Sequence, residues 1–295
     1  MDLRFFDDPA ELRDVAGDYL AAHPVVSTVV AGIADRVAAN REAGVPWPEG
    51  VPCWFAALVD GGEVVSAAMR TATFGEFPVF LLPMPDDAAV LLARTLLDRD
   101  EPVLGANGAL PAVQVFCEEM ATGTGKRAVV GQHTRLFELG TLVDPAPVPG
   151  RLRTARIEEL GLVTRWYDAF MRDADEQAGR QPGASPHETP GPDDLVHRIE
   201  TGRIRVWEAP GGEVVSLTAA SAPSYGVSRV GPVYTPREHR GRGYASNAVA
   251  GVSRQLLDGG ARACLFTDRA NLTSNEIYEA LGYERVVDMA NLRVE

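Results

Sequence analysis

The sequence predicts an α/β protein of the α+β kind, in which two similar halves each form a mixed, mainly antiparallel twisted sheet flanked by helices. Three observations carry this. The word Gly61-Gly62-Glu63-Val64-Val65-Ser66 recurs unchanged as Gly211-Gly212-Glu213-Val214-Val215-Ser216. Around both copies the elements follow one order: helical start, hairpin, apolar strand, helix, strand, helix. The length of 295 residues also suits two domains of roughly 150 residues each.

In the first half, Leu12, Val15, Ala16 and Leu20, then Val29, Ile33 and Val37, recur at helical spacing. They predict two helices between Asp8 and Val37, separated near His23-Pro24. A Pro/Gly loop runs from Gly44 to Pro52. Trp54 to Val59 and Val64 to Met69 then flank Asp60-Gly61-Gly62-Glu63, a hairpin signal. Phe77 to Leu82 predicts a short strand, and Asp86 to Leu97 a helix with Asp86 as its N-cap. Val103 to Gly108 reads as a strand and Pro111 to Met120 as a helix. Gly123-Thr124-Gly125-Lys126 lacks the other residues of a P-loop, because Met120 and Arg127 stand where glycine and Ser/Thr are needed. It reads as a helix C-terminal turn.

Val143 to Gly150, with Pro145, Pro147 and Pro149, punctuates the chain and sets a boundary between domains 1–145 and 151–295. Leu152 to Ile157 is extended. A helix around Glu158 to Ala174 carries Leu160, Val163, Trp166, Tyr167 and Phe170, and runs into Asp173, Asp175 and Glu176. Gln181 to Asp194 reads as a long loop of the kind that is either disordered or functional. Arg203 to Glu208 and Glu213 to Ala220 predict the second hairpin, Leu265 to Asn271 a strand, and Ser274 to Leu281 a helix.

The most informative stretch is Arg240-Gly241-Arg242-Gly243-Tyr244-Ala245. It follows the extended run Val230-Gly231-Pro232-Val233-Tyr234-Thr235 and opens a helix from Tyr244 to Leu257, whose Ala245, Ala248, Val249, Val252, Leu256 and Leu257 share one face. Two glycines one residue apart let successive N–H groups converge at the positive end of the helix dipole. Such a turn suits an anion, phosphate above all. The first half offers Leu82-Pro83-Met84-Pro85-Asp86-Asp87 instead, where two prolines lack N–H groups and two carboxylates repel phosphate.

This arrangement resembles the acetyl-CoA loop of the GNAT superfamily of N-acetyltransferases, with Arg240, Gly243 and Ala245 at its three characteristic places. Downstream, Thr267 to Asn271 and Ser274-Asn275-Glu276-Ile277-Tyr278, ending at Leu281-Gly282-Tyr283, look like that family's next strand, Asn-bearing loop and Tyr-bearing helix. The resemblance covers residue 151 to the C-terminus, and the repeat extends it to tandem GNAT-like domains with a degenerate first copy. It implies an acetyl-CoA-dependent N-acetyltransferase acting on a primary amine of a small molecule or peptide.

By the same resemblance, the backbone of Val233, Tyr234 and Thr235 would pair with the pantetheine arm. Gly241, Arg242, Gly243, Tyr244, Ala245 and Ser246 would hold the pyrophosphate, Arg240 and Arg242 adding charge. Tyr278 would be the general acid. Asn271 would hydrogen-bond the cofactor arm or only shape a turn, and Ser274 would be an N-cap, a ligand, or both. Gly231-Pro232 would break the strand ladder. No Asp or Glu lies between Leu217 and Arg237. The base is therefore a water chain or one of Asp173, Asp175 and Glu176, which would line the acceptor pocket. His239 sits beside the loop, which suits a surface or phosphate role, and His187 has no assigned place.

Composition narrows the alternatives. A net charge of −13 argues against nucleic acid and is compatible with a cationic amine. No apolar run approaches a membrane span, and the acidic start Met1-Asp2-Leu3-Arg4-Phe5-Phe6-Asp7-Asp8 does not read as a secretory signal. Cys53, Cys117 and Cys264 have no metal-ligand or redox spacing, so a reducing cytoplasm and no metal are expected. The expected assembly is a monomer or homodimer. A CoA-binding sensor or scaffold without turnover is the second functional reading. A transferase using aminoacyl-tRNA is a third, disfavoured by the charge.

Overall fold

A computed structural model describes residues 1–47, 49–71, 78–177, 181 and 190–295. The chain divides into two compact units, Met1–Leu136 with Val286–Glu295, and Phe137–Arg285.

The first unit opens with a strand that the sequence reading did not anticipate, β1 (Asp2–Phe6), paired antiparallel with β2 (Trp54–Asp60). Helix α1 (Pro9–Ala22) starts where the Asp8 carboxylate accepts from the N–H of Ala10 at 2.9 Å and Pro9 presets the first turn. Its Leu12, Ala16 and Leu20 are buried as the spacing requires, and α2 (Thr28–Glu42) follows. β2 and β3 (Glu63–Arg70) form the expected hairpin, with Gly61 and Gly62 both at positive φ, the backbone that a two-residue turn demands. Trp54, Ala56 and Leu58 join one core, while the alternate residues Phe55, Ala57 and Val59 are buried on the opposite face.

β4 (Val79–Leu81) runs parallel to β5 (Gly105–Ala109), while α3 (Asp86–Asp98) and α4 (Ala112–Thr124) supply Leu92, Leu96, Phe116 and Met120 to the same core. The expected strand from Phe77 begins in residues 72–77, outside the described set. Asp86 is not the N-cap of α3: Pro85 is, without a side-chain hydrogen bond, and Asp86 and Asp87 stand in the first turn. Gly125, at φ 68, caps α4 as the expected C-terminal turn.

Two strands of twelve residues, β6 (Ala128–Leu139) and β12 (Tyr283–Val294), were not anticipated either. The end of β12 pairs antiparallel with β5, from Met289↔Ala109 to Arg293↔Gly105, so residues 286–295 count with the first unit. The contact units therefore do not coincide with a cut at 145–151. The strand order around this core is β1-β2-β3-β4-β5-β12.

The second unit repeats the plan with β7 (Arg151–Thr154), α5 (Leu160–Gln177), α6 (Pro192–Glu200), β8 (Ile204–Glu208), β9 (Val214–Ala220), β10 (Val227–Tyr234), α7 (Tyr244–Asp258), β11 (Arg262–Asp268) and α8 (Leu272–Ala280). Its strand order is β11-β10-β9-β8-β7, antiparallel except for β10 with β11. Residues 178–180 and 182–189, most of the expected long loop and His187 with it, lie outside the described set. Helix α6 was missed because it begins directly on that Pro/Gly-rich stretch. α5 and α6 cover one face through Val163, Tyr167, Leu195 and Ile199, and α7 covers the other through Val249 and Val252.

The repeated word has a structural counterpart. The fully buried Ser66 donates to the Pro83 carbonyl at 2.9 Å, and the fully buried Ser216 donates to the Tyr234 carbonyl at 3.2 Å. In both units the serine of the repeated word ties the hairpin to the end of the next strand or the chain just beyond it. Gly282 closes α8 at φ +90, where an added Cβ would sit 2.0 Å from the Thr141 carbonyl oxygen. Gly282→Ala is expected to cost about 3 kcal/mol of stability, combining left-handed strain with a backbone clash. Denaturant unfolding of the variant checks this; an unchanged midpoint would contradict it.

Candidate active site

Strands β10 and β11 begin as a parallel pair and then separate. Their register runs from Val227↔Arg262 to Arg229↔Cys264 and ends there, although β10 continues to Tyr234 and β11 to Asp268. On its other edge β10 has a bulge: Val230 pairs with Ala220 and Val233 with Thr218, so two residues of β10, Gly231 and Pro232, stand opposite one of β9. The ladder is thus interrupted where Gly231-Pro232 was expected to interrupt it. Between the diverging strands, backbone groups of both are left to pair with an extended ligand.

The chain leaves β10 through a short 3₁₀ turn, Arg237–His239, and enters the glycine loop. Gly241 and Gly243 have φ of 72 and 79, and Gly243 is the N-cap of α7 with no side chain bonded to the helix start. The first turn's N–H groups have no intrahelical acceptor by geometry; the Asn247 N–H is the one that reaches back to the Gly243 carbonyl, at 3.1 Å. Gly241, Arg242 and Gly243 are exposed, and Tyr244, Ala245 and Ser246 are half-buried. The loop is braced from behind: Val148 lies 3.0 Å from where a Gly243 Cβ would stand, and the Asn247 amide donates to the Ala146 carbonyl at 3.0 Å.

The two expected arginines differ in state. Arg242 is exposed and forms no ion pair among the described residues. Arg240 instead folds back, donating from Nε to the Thr235 carbonyl at 2.9 Å and from Nη2 to Asp173 at 2.5 Å. Arg237, which the sequence reading passed over, bonds both Asp173 and Glu176. Burial alone would raise the Asp173 pKa, but the hydrogen bonds and charges of Arg237 and Arg240 outweigh it and hold the carboxyl below its ordinary value. Asp175 is fully buried and Glu176 largely exposed. The three carboxylates therefore do not form one wall: Asp173 and Glu176 share Arg237, and Asp175 points into the protein.

Tyr234 turns its side chain toward α5, its hydroxyl 3.4 Å from Asp173 and its ring 5.8 Å from Trp166. Thr235 is held by the Ser216 hydroxyl at 2.9 Å, and Val233 sits opposite Thr218 just after the bulge. His239 approaches Glu213 at 3.5 Å rather than the glycine loop.

After β11, Asn271 caps α8 by accepting from the Ser274 N–H at 3.1 Å. Ser274 is thus the third residue of the helix, not its N-cap. Asn275, also unanticipated, ties the turn together by donating to the carbonyls of Asp268 and Asn271 and accepting from Thr267. Tyr278 follows one turn on, packed with Ile277 against the core formed by Val249, Leu265 and Leu281, its ring 6.0 Å from that of Tyr283. Part of the residue reaches solvent, yet its hydroxyl is set among enough protein that burial pushes its pKa up to about 12. Among the described residues that hydroxyl has no hydrogen-bond partner.

The matching place in the first unit is closed. There β4 stays parallel to β5 along its whole length, Val79↔Ala106 to Leu81↔Gly108, and a Cβ on Gly108 would lie 2.5 Å from the Leu81 carbonyl oxygen. The Asp87 carboxylate accepts from the Ala88 N–H at 3.0 Å, taking up a donor at the helix start.

Residues 211–294 match the family model described as FR47-like protein. No protein with a curated description matches the chain by sequence. Among solved structures, a GNAT-family acetyltransferase from Colwellia psychrerythraea aligns over 100% of this chain and 99% of its own at 11% identity, with a TM-score of 0.56. A GCN5-related N-acetyltransferase from Sphaerobacter thermophilus aligns over 99% and 95% at 15% identity, with a TM-score of 0.57. A tandem GNAT protein from the clavulanic acid biosynthesis pathway aligns over 100% and 98% at 15% identity, with a TM-score of 0.54. The chain has the fold of these tandem acetyltransferases, and the FR47-like match falls on the half that carries the glycine loop and Tyr278.

Proposed function

We propose that this chain is an N-acetyltransferase that takes the acetyl group of acetyl-CoA to a primary amine, with its one cofactor site in the second unit. The observation that carries the reading is the parting of β10 from β11 directly before an uncapped glycine turn. Unpaired strand edges suit an extended amide-bearing arm, and convergent N–H groups at a helix start suit its phosphates. The FR47-like match over 211–294 and the GNAT fold support acyl transfer as the general chemistry. The closed first unit is the degenerate copy, and 1–145 and 151–295 remain the proposed evolutionary domains.

Acetyl-CoA would supply an activated acetyl group as a thioester, releasing a thiol. Val233, Tyr234 and Thr235 would hold its arm through the backbone, with Asn271 and Ser274 across the gap. Gly241, Arg242, Gly243, Tyr244, Ala245 and Ser246 would hold the pyrophosphate. Arg240, already oriented beside the loop, would exchange part of its bond with Asp173 for the phosphates. Tyr278, neutral throughout the physiological range, would deliver the proton to the leaving sulfur. The acceptor amine would lose its proton to water, because Asp173 is held as a carboxylate by two guanidiniums and is a poor base. Asp173 and Glu176 would then shape the acceptor side of α5, while the buried Asp175 takes no part in it.

A pH profile tests this division of roles. Asp173 titrates below its ordinary value and Tyr278 near 12, so neither changes charge between pH 5 and 9. The rate per enzyme should rise with pH as the acceptor amine deprotonates (about 10.4 for a lysine-like amine). Asp173→Asn should leave the acidic limb in place; a limb that moves or vanishes would make Asp173 the base.

The acceptor would be a small-molecule or peptide amine. The protein would work in the cytoplasm without nucleic acid, membrane or metal, as a monomer or homodimer. No helix among the described residues is long and apolar enough to cross a membrane. The lack of a carboxylate from Leu217 to Arg237 favours one other reading, a CoA-binding sensor or scaffold. Incubation with acetyl-CoA and a panel of primary amines decides between them by mass spectrometry. An acetylated amine supports the enzyme; cofactor binding with no product from any amine supports the sensor.

A further inference from the structure

The second unit contains a cleft of about 430 Å³ that has no part in the chemistry above. It lies where α6 ends, β8 begins and β9 turns toward β10, beneath the last two turns of α7. β10 begins at that end of the sheet and reaches the glycine loop only at its other end, eight residues on, a separation of roughly 25 Å. The cleft is thus distinct from the cofactor gap.

Its character comes from Arg203 and Arg205. Along β8, Ile204 and Val206 point into the core, so Arg205 faces the other way, toward α7; Arg203, the residue before the strand, lines the same cleft while staying within reach of Asp194, Arg198 and Tyr167. Arg203 donates to the Thr201 hydroxyl at 2.8 Å and Arg205 to the Gln255 side-chain oxygen at 3.0 Å; both partners are neutral. Neither arginine has an ion-pair partner among the described residues, although most arginines of this acidic chain do. The Nη1 of Arg205 is buried with no acceptor. Gly202, at φ +67, makes room for it, since a Cβ there would lie 3.3 Å from that nitrogen.

Burial lowers the pKa of both guanidiniums, and Arg198 adds to the effect at Arg203; Asp194 and Tyr167 offset it there only partly. The C-terminal ends of α6 and α7 add partial negative charge, and among the described residues no carboxylate there forms an ion pair with either arginine. Desolvated cations without a direct ion-pair partner are costly unless a ligand neutralises them. Ala220, Val252 and Leu256 supply an apolar wall, and two guanidiniums one residue apart at the start of a strand can grip one planar or tetrahedral anion from two sides.

We propose that this cleft is a second ligand site, taking a small organic anion whose carboxylate or phosphate is held by Arg203 and Arg205 while a short apolar body rests on Val252 and Leu256. The site is independent of the acetyltransferase reading, because no residue of the cofactor gap contributes to it.

Calorimetric titration of the full chain with inorganic phosphate and, separately, with butanoate tests the proposal. Saturable binding of either anion is expected, the one that binds identifying the head group. It should persist in Gly243→Asp, which removes the glycine loop as an anion site, and fall at least tenfold in Arg203→Gln and in Arg205→Gln. A readout that needs no variant runs beside it: modification of arginines by phenylglyoxal, followed by peptide mass spectrometry. Arg203 and Arg205 should be protected by the bound anion, while the exposed Arg36 of the first unit is not. No saturable binding of either probe, or binding that leaves Arg203 and Arg205 fully reactive, would overturn the site.

Discussion

Gly243→Asp is expected to weaken acetyl-CoA binding by about 100-fold or more, equivalent to ~3 kcal/mol. Three effects combine. At φ +79 a non-glycine residue is strained, and the new Cβ would meet Val148 at 3.0 Å. A carboxylate at the N-cap would also bond the first-turn N–H groups itself, occupying the donors that phosphate needs. Its charge would then repel the ligand. The self-made cap offsets part of the strain, so the melting temperature should change little while binding is lost. Gly243→Ala separates the terms, since it keeps the strain and omits the charge. It should bind more weakly than the native chain and more tightly than the aspartate variant. If the aspartate variant binds acetyl-CoA as the native chain does, the glycine loop is only a turn.

Tyr278→Phe is expected to lower kcat by about 100-fold or more, the size of effect that general acid catalysis commonly supplies, with the KM for acetyl-CoA nearly unchanged. The hydroxyl has no hydrogen-bond partner among the described residues, so its removal strands no buried group. The ring contact with Tyr283 and the packing on Ile277 survive in phenylalanine. Stability should therefore stay level, which makes a fall in rate a statement about chemistry. Its pKa of about 12 keeps the phenol protonated at any working pH. An unaltered kcat would reduce Tyr278 to a packing residue and leave the leaving thiolate to water.

The parts of the site legible in the sequence are those whose cause is local. Gly241 and Gly243 had to occupy positive φ because the chain turns there into an apolar-periodic helix, and Gly231-Pro232 disturbs the ladder by what each residue lacks. The hairpins at Gly61-Gly62 and Gly211-Gly212 were visible for the same reason. What stayed hidden depends on partners far along the chain. Asp173 and Arg240 meet across 67 residues, and nothing in either neighbourhood announces that a carboxylate on α5 holds the loop arginine. Arg237 bridging Asp173 to Glu176 was missed likewise. Residues 289–293 choose β5, far back in the chain, as their partner; Ala290, Leu292 and Val294 show strand alternation, but alternation does not name the neighbour. The assignment of Ser274 as N-cap failed for a smaller reason. Asn271, three residues earlier, is the cap and accepts from the Ser274 N–H, so the helix has already begun when the chain reaches Ser274.

The central claim is a single cofactor site, formed by the diverging end of β10 and the glycine loop of the second unit. Calorimetric titration of the intact chain with acetyl-CoA tests it most directly. The account predicts one site per chain. Two sites would show that the closed β4–β5 end of the first unit also opens to the cofactor, and no binding at all would remove the basis for an acetyltransferase.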